Sequence, residues 1–224
     1  MLDNLKETNM VKLVGKIASE KTFSHEIYGE GFYNVFLEIP RLSEAVDLLP
    51  VTISERLIVN MDLSIGTYVI IEGQLRSYNR LIDNSNKLIL TIFAKDIYIP
   101  DEKELKEAIR KPNEIFLDGY ICKKPVYRTT PFGREITDLL IAVNRAYNKS
   151  DYIPCIAWGR NARFCQNMLV GDHIKVWGRV QSREYQKKLP SGKIETRIAY
   201  EVSISRLEYI ENDNNRLEVC RAEG

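Results

Sequence analysis

The sequence predicts an all-β chain made of two tandem copies of one five-stranded barrel domain, joined by a short helical linker. Three observations carry this: an internal repeat through the 224 residues, short runs of alternating apolar residues, and glycines inside those runs. Asn9, Leu13, Gly15 and Ile17 recur as Asn113, Leu117, Gly119 and Ile121, and Val11 becomes Ile115, all at an offset of 104. The same offset pairs Gly29 with Gly133, Arg41 with Arg145, Asp47 with Asp151, Pro50 with Pro154 and Arg56 with Arg160. One residue is then gained: Gly66 and Gly171, Gly73 and Gly178, and Ser77 and Ser182 stand 105 apart. A register held over so many positions marks two copies of one unit, with expected boundaries at 1–100 and 113–211.

Within the second copy the strand candidates are 114–122, 136–145, 153–159, 173–183 and 196–207, with a helical piece from Asn161 to Met168. The clearest strand is His173 to Ser182, apolar at alternate positions, and its counterpart is Tyr68 to Ser77. Gly15, Gly73, Gly119 and Gly178 fall inside strands, where a glycine marks a bulge or a bend. Three strands, a helix and two further strands, sharply bent, is the order of a five-stranded OB-fold barrel with a short helix between strands 3 and 4. Sheet arithmetic alone also admits a small sandwich. The linker, 101–112, opens with Asp101 and Glu104 in capping-box spacing. It carries Glu102/Lys106 and Glu107/Lys111 at i,i+4, and Pro112 ends it. Residues 212–224 read as a short flexible tail.

Composition excludes several classes. Hydrophobic residues at 44% and charged residues at 28% are ordinary for a globular chain, which argues against disorder. The longest apolar run, Leu139 to Val143, is far short of the ~20 residues that span a bilayer. Acidic residues stand near the start, where a signal peptide needs a positive end. A cytoplasmic, nucleoid-associated location away from membranes is therefore expected. Cys122, Cys155, Cys165 and Cys220 form no CxxC pair, so reduced thiols are expected. His25 and His173 lack ligand spacing, so no metal is expected. Gly29-Glu30-Gly31 fails the dinucleotide pattern because Asn34 stands where its third glycine belongs. With no nucleophile elbow, zincin motif or P-loop, neither a cofactor nor catalysis is expected.

The net charge of +1 hides a split. Residues 1–100 hold 10 Lys and Arg against 13 Asp and Glu, while 113–211 hold 16 against 11. The second copy is the one a polyanion prefers. Lys123, Lys124, Arg128 and Arg134 fall between its first two strands, and Arg145 and Lys149 between the second and third. Arg183, Lys187, Lys188 and Lys193 fall in the strand 4–5 hairpin, which Pro190-Ser191-Gly192 turns. OB folds bind oligonucleotides with the strand 2–3 face and these loops. A single strand also needs flat rings for stacking. Tyr147 and Tyr152 flank a polar run, and Trp158, Trp177 and Tyr185 are further candidates. Trp177 shares a strand face with Lys175, Arg179 and Gln181.

The second copy resembles the OB domain of the bacterial single-stranded DNA-binding proteins (SSB) over nearly its whole length. The residues that carry this are Asn113-x-Ile115-x-Leu117-x-Gly119-x-Ile121, Pro125, Gly133, Leu140 to Val143, Ile156 to Ala162, and Gly171 through Tyr185, including Gly178-Arg179-x-Gln181-Ser182-Arg183. Arg160 lies within the Trp158-Gly159-Arg160-Asn161 part of the match. The related primosomal replication protein N (PriB-like) shares the fold. The resemblance implies base-stacking rings at Tyr147, Tyr152, Trp158 and Tyr185. It implies single-stranded DNA as partner, with RNA as the alternative, in replication, restart, recombination or repair. It also implies a homodimer, since the family assembles four OB domains.

The first copy matches more weakly, through Asn9 to Ile17 and Gly73 to Ser77. It has Ser43, Leu48 and Ser54 where the second has Tyr147, Tyr152 and Trp158. It is expected to bind single strands poorly and to serve dimerisation or protein docking, with Phe23, Tyr28, Phe32, Tyr33 and Phe36 as core. The family's acidic, apolar-tipped tail has no match in 212–224, which favours an accessory or restart role with replication or primosome proteins. The alternative function is a protein-interaction scaffold of such a complex that touches nucleic acid weakly.

Overall fold

The structure, a computed structural model, describes residues 7–41, 43, 45–82, 85–188 and 192–211. In the first half β1 (Asn9–Ile17), β2 (Thr22–Ile27), β3 (Glu30–Pro40) and β4 (Val46–Ser54) lead into α1 (Glu55–Ile58), then β5 (Tyr68–Ile82) and β6 (Ser85–Tyr98). After α2 (Glu102–Ala108) the order repeats: β7 (Asn113–Ile121), β8 (Val126–Thr129), β9 (Glu135–Asn144), β10 (Ser150–Trp158), α3 (Gly159–Cys165), β11 (His173–Lys188) and β12 (Ile194–Ile210). The chain is mostly strand, as expected, with few helices.

Pairing follows one path in both halves. β1 pairs with β3, β3 with β4, β4 in parallel with β6, β6 with β5, and β5 again with β1. The second half repeats this with β7, β9, β10, β12 and β11. The side chains inside are aliphatic: Leu13, Leu37, Leu49 and Ile71 in one half, Leu117, Ile141, Ile153 and Val176 in the other, all fully buried. Alternation in the sequence comes from this one-sided burial.

The strand glycines sit where strands change partner. One edge of β1 pairs with β7 up to Leu13 and with β3 from Lys16, and a Cβ on Gly15 between them would overlap the carbonyl of Glu38. The register of β11 against β12 shifts between Trp177 and Gly178, and a Cβ on Gly178 would overlap the carbonyl of Ser203. The backbones cross too closely for any other residue.

Several details differ from the expected elements: β10 begins at Ser150 rather than 153, β11 runs to Lys188 rather than 183, and β12 spans Ile194–Ile210 rather than 196–207. Each half has a sixth strand, β2 or β8, paired only to β3 or β9. Every residue of β2 and β8 is exposed, so no apolar alternation announces them. α3 begins at Gly159, two residues earlier than expected. The linker helix has both arms of its capping box, Glu104 N–H to Asp101 at 2.8 Å and Asp101 N–H to Glu104 at 3.2 Å. Its expected i,i+4 ion pairs do not form, and Lys111 lies instead 4.0 Å from Glu114. The 212–224 tail lies outside the described residues.

The two halves join through β1 and β7, antiparallel, with Asn9 opposite Leu117, Val11 opposite Ile115 and Leu13 opposite Asn113. Val11 faces its own repeat equivalent, so this pairing has a local two-fold axis. Asn9 and Asn113 extend each half's own ladder by one step with their side chains. The Asn9 amide donates to Leu75 O at 2.8 Å and accepts from Leu75 N–H at 3.0 Å. Asn113 does the same with Val180.

Candidate nucleic-acid interface

Tyr152, Pro154 and Trp158 fall at alternate positions of β10 between buried Ile153, Cys155 and Ala157, so they share its outer side; Ile156, at the same spacing, is buried. Six residues at about 3.3 Å each separate Tyr152 from Trp158 by about 20 Å. Tyr152 is exposed, while Trp158 is half-buried and its indole N–H donates to Ser203 Oγ at 3.1 Å. Tyr147 stands at the turn into β10, 95% exposed, with φ at 60°. Tyr185 lies exposed on β11 with the Arg183 guanidinium 5.9 Å from its ring centre. Trp177 is set apart from these. It packs on Phe116, ring centres 5.0 Å apart, and under Arg206 at 4.4 Å, lining a groove of about 430 Å³ with Met10 and Lys12.

The basic residues divide by what holds them. Lys123, Lys124, Arg134, Lys149, Arg160, Lys187 and Lys188 are exposed and make no ion pair among the described residues. Arg128 is tied to Asp138 at 2.7 Å and Arg183 to Glu201 at 3.3 Å. Both line a groove of about 750 Å³, together with Tyr185. First-half residues at repeat-equivalent positions complete that groove: Asn34 answers Asp138, Pro50 answers Pro154, and Tyr78 answers Arg183. It therefore lies across the axis that relates the halves.

Arg145 and Arg179 belong to the junction. Asp151, fully buried, accepts from Ser77 N–H at 2.7 Å and pairs with Arg76 at 3.0 Å and Arg145 at 3.4 Å. Its equivalent Asp47, also buried, accepts from Ser182 N–H at 2.8 Å and pairs with Arg41, and Arg179 lies 3.8 Å away. Each carboxylate thus bonds the hairpin of the opposite half. The hydroxyl of Ser77 accepts from Tyr152 N–H at 2.7 Å and that of Ser182 from Leu48 N–H at 3.2 Å. Among the described residues, no cluster of three His, Cys, Asp or Glu could hold a metal, and no helix is long and apolar enough to cross a membrane.

Comparison with known proteins fits this geometry. The model of the single-strand binding protein family matches residues 112–210. Single-stranded DNA-binding protein 2 of Listeria monocytogenes is 32% identical over 113 residues, which are 47% of this chain and 68% of that protein. The chain belongs to the single-strand binding protein family. It spans about half the length of single-stranded DNA-binding protein 1 of Staphylococcus aureus, to which it is 36% identical over 83 residues, 34% of this chain. The wild-type single-stranded DNA binding protein of Thermus aquaticus has the same fold: TM-score 0.71 at 20% identity, covering 91% of this chain and 93% of that one. The N-terminal domain of PriB protein from Thermoanaerobacter tencongensis is 58% identical, covering 43% of this chain and all of that domain, at a TM-score of 0.39.

Two groups of residues escaped the sequence reading. In the second half, Tyr127 and the 91%-exposed Phe132 are large rings on the β8–β9 hairpin. Their repeat partners, Phe23 at 63% and Tyr28 at 103% exposure, were expected in the core, as was the exposed Phe36. Of that first-half group, Phe32 is buried and Tyr33 packs against the core. β2 lies outside the pairing ring and has no second layer against it, so its rings stay in water. The 104-residue offset, applied to rings as well as glycines, is the signal that finds both hairpins.

Proposed function

We propose that the chain binds single-stranded DNA, largely without sequence preference, in replication, restart, recombination or repair. The relatives named above are single-stranded DNA-binding proteins, which supports this. The observation that carries it is the outer side of β10. There Tyr147, Tyr152 and Trp158 lie along one strand and its entry turn, flanked by Lys149 and Arg160, which no carboxylate neutralises among the described residues. Such rings take bases of any identity, at roughly 1–3 kcal/mol each. Unpaired cations beside them take the phosphates and release counterions.

The units of this function are domains 1–100 and 113–211, each an OB barrel, with 101–112 between them and the second carrying most of the affinity. Tyr185, with Arg128 and Arg183 in the axial groove, extends the track, and Lys123, Lys124, Arg134, Lys187 and Lys188 supply its electropositive rim. Two chains assemble as a homodimer through the first half. Its β1 edge is already taken by β7, so that contact uses another surface of the half. The test is titration with oligo-dT, read by tryptophan fluorescence. Trp158 reports base stacking by quenching, and absence of both quenching and an affinity gain at low salt refutes the function.

A further inference from the structure

We propose that the first half carries a second contact for the same single strand, at positions that do not correspond to the family's stacking rings. It rests on the function proposed above. A groove of about 550 Å³ on the first half is lined by His25 and Ile27 of β2, Arg76, Tyr78 and Arg80 of β5, and Arg145 delivered from the second half. No acidic side chain lines it. Behind it the buried Asp151 neutralises one of the pair Arg76 and Arg145. Arg80 makes no ion pair among the described residues. Three guanidinium groups against one buried carboxylate leave net positive charge facing solvent, in the planar, multi-donor form suited to phosphate.

Beside this groove the chain displays a ring under strain. Tyr28 turns β2 into β3 with φ at 51°, followed by Gly29 at 78°. Two successive positive φ values make the kind of hairpin turn in which Asn or Gly is favoured in the first position. A bulky residue there is an outlier. Yet the tyrosine is fully exposed, so no packing offsets the strain. Tyr147, the family-matched ring of the second half, shows the same combination of positive φ and near-complete exposure. The conformation aims a ring into water, where a base can stack on it. His25 stacks on Phe32 at 4.8 Å and Phe32 lies 5.7 Å from Phe93, so a ladder of rings leads from the hairpin into the groove. Although its family-matched ring positions hold Ser43, Leu48 and Ser54, the first half is thus equipped for bases by Tyr28 and for phosphate by Arg80 and its neighbours.

The experiment uses the full chain with two oligo-dT lengths, about 12 nucleotides for one site and about 30 for two. Tyr28→Asn places in the turn the residue the backbone favours, so the melting temperature holds or rises. Affinity for the longer oligonucleotide is expected to fall about tenfold, and that for the shorter to stay unchanged. Arg80→Ala lowers the salt slope on the longer one by about 0.7. Long-oligonucleotide affinity unmoved by either variant overturns the second contact. Equal loss on both lengths overturns it too, by making the first half the primary site. Failure of the unmodified chain to bind even the shorter oligonucleotide sinks the parent function instead.

Discussion

Replacing Asp151 by alanine removes one carboxylate that three donors share. Its loss leaves the Ser77 amide inside the junction without an acceptor, a cost of about 1–3 kcal/mol. It also leaves Arg76 and Arg145 unpaired, with side chains 24% and 32% exposed. Breaking a fully buried pair costs 3–5 kcal/mol, but these arginines reach water, so the total stays near the lower bound, about 3 kcal/mol. Asp47→Ala strands Ser182 and Arg41 in the same way and should cost a similar amount. The two carboxylates share no partner, so each single loss is independent of the other. Urea unfolding measures this with two probes. Both tryptophans of the chain, Trp158 and Trp177, lie in the second half, so fluorescence follows that half while far-UV circular dichroism follows both. The two curves should coincide for the native sequence and separate for the double variant, because the halves no longer unfold together. A loss below 1 kcal/mol for Asp151→Ala, or coincident curves in the double variant, would refute the clamp.

The remaining predictions test the site and the packing. Tyr152→Ala or Trp158→Ala should weaken oligo-dT binding by roughly 1–3 kcal/mol with little change in salt slope; Lys187→Ala with Lys188→Ala should flatten the slope by about 1.4. Equal slope changes in the two classes would contradict the division between stacking and phosphate contact. Gly178→Ala should cost about 2–3 kcal/mol by forcing β11 away from Ser203, and a thermal melt within 2 °C of native, a shift worth about 1 kcal/mol at most, would exclude that close approach. Burial pushes the Cys165 thiol up to about 12 and the Cys155 thiol well above its ordinary value. At pH 8 both stay protonated, so their reaction with a disulfide reagent, followed in a chain with Cys122 and Cys220 replaced by serine, should track unfolding, and rapid labelling of Cys155 or Cys165 in the native state would show the second core to be open.

The repeat was legible because an offset needs no structural knowledge, and strand order followed from one-sided burial. What the repeat positions do was not legible. Arg41, Asp47 and Ser77, with Arg145, Asp151 and Ser182, read as register marks inside each copy. In the structure the carboxylate and serine of each set bond across the junction, between residues 74 and 135 positions apart. Each half keeps both members because each supplies an acceptor and receives one, and a sequence shows the retention without the crossing. Arg145 shows the same limit at the site. Its place between two strands of the basic half suggested that half's own phosphate track, yet Asp151 holds it against the hairpin of the other half. β2 and β8 were missed for the opposite reason, since a strand exposed on every residue has no period.

The junction also bears on why the site is arranged as it is. Ser77 binds Asp151 through its amide and Tyr152 N–H through its hydroxyl, so the first-half hairpin fixes the backbone of the β10 residue that presents the exposed ring. Arg76, on that same hairpin, both pairs with Asp151 and lines the first-half groove. The position of Tyr152 therefore depends on contacts from a half that lacks the family's rings. Under the proposed function, the acidic first half has a role even where it touches no DNA: it orders Tyr152 before a strand arrives, which lowers the entropic cost of binding. Separating the halves removes that support, so a fragment of residues 113–211 retains its rings and cations but holds Tyr152 less firmly than the intact chain.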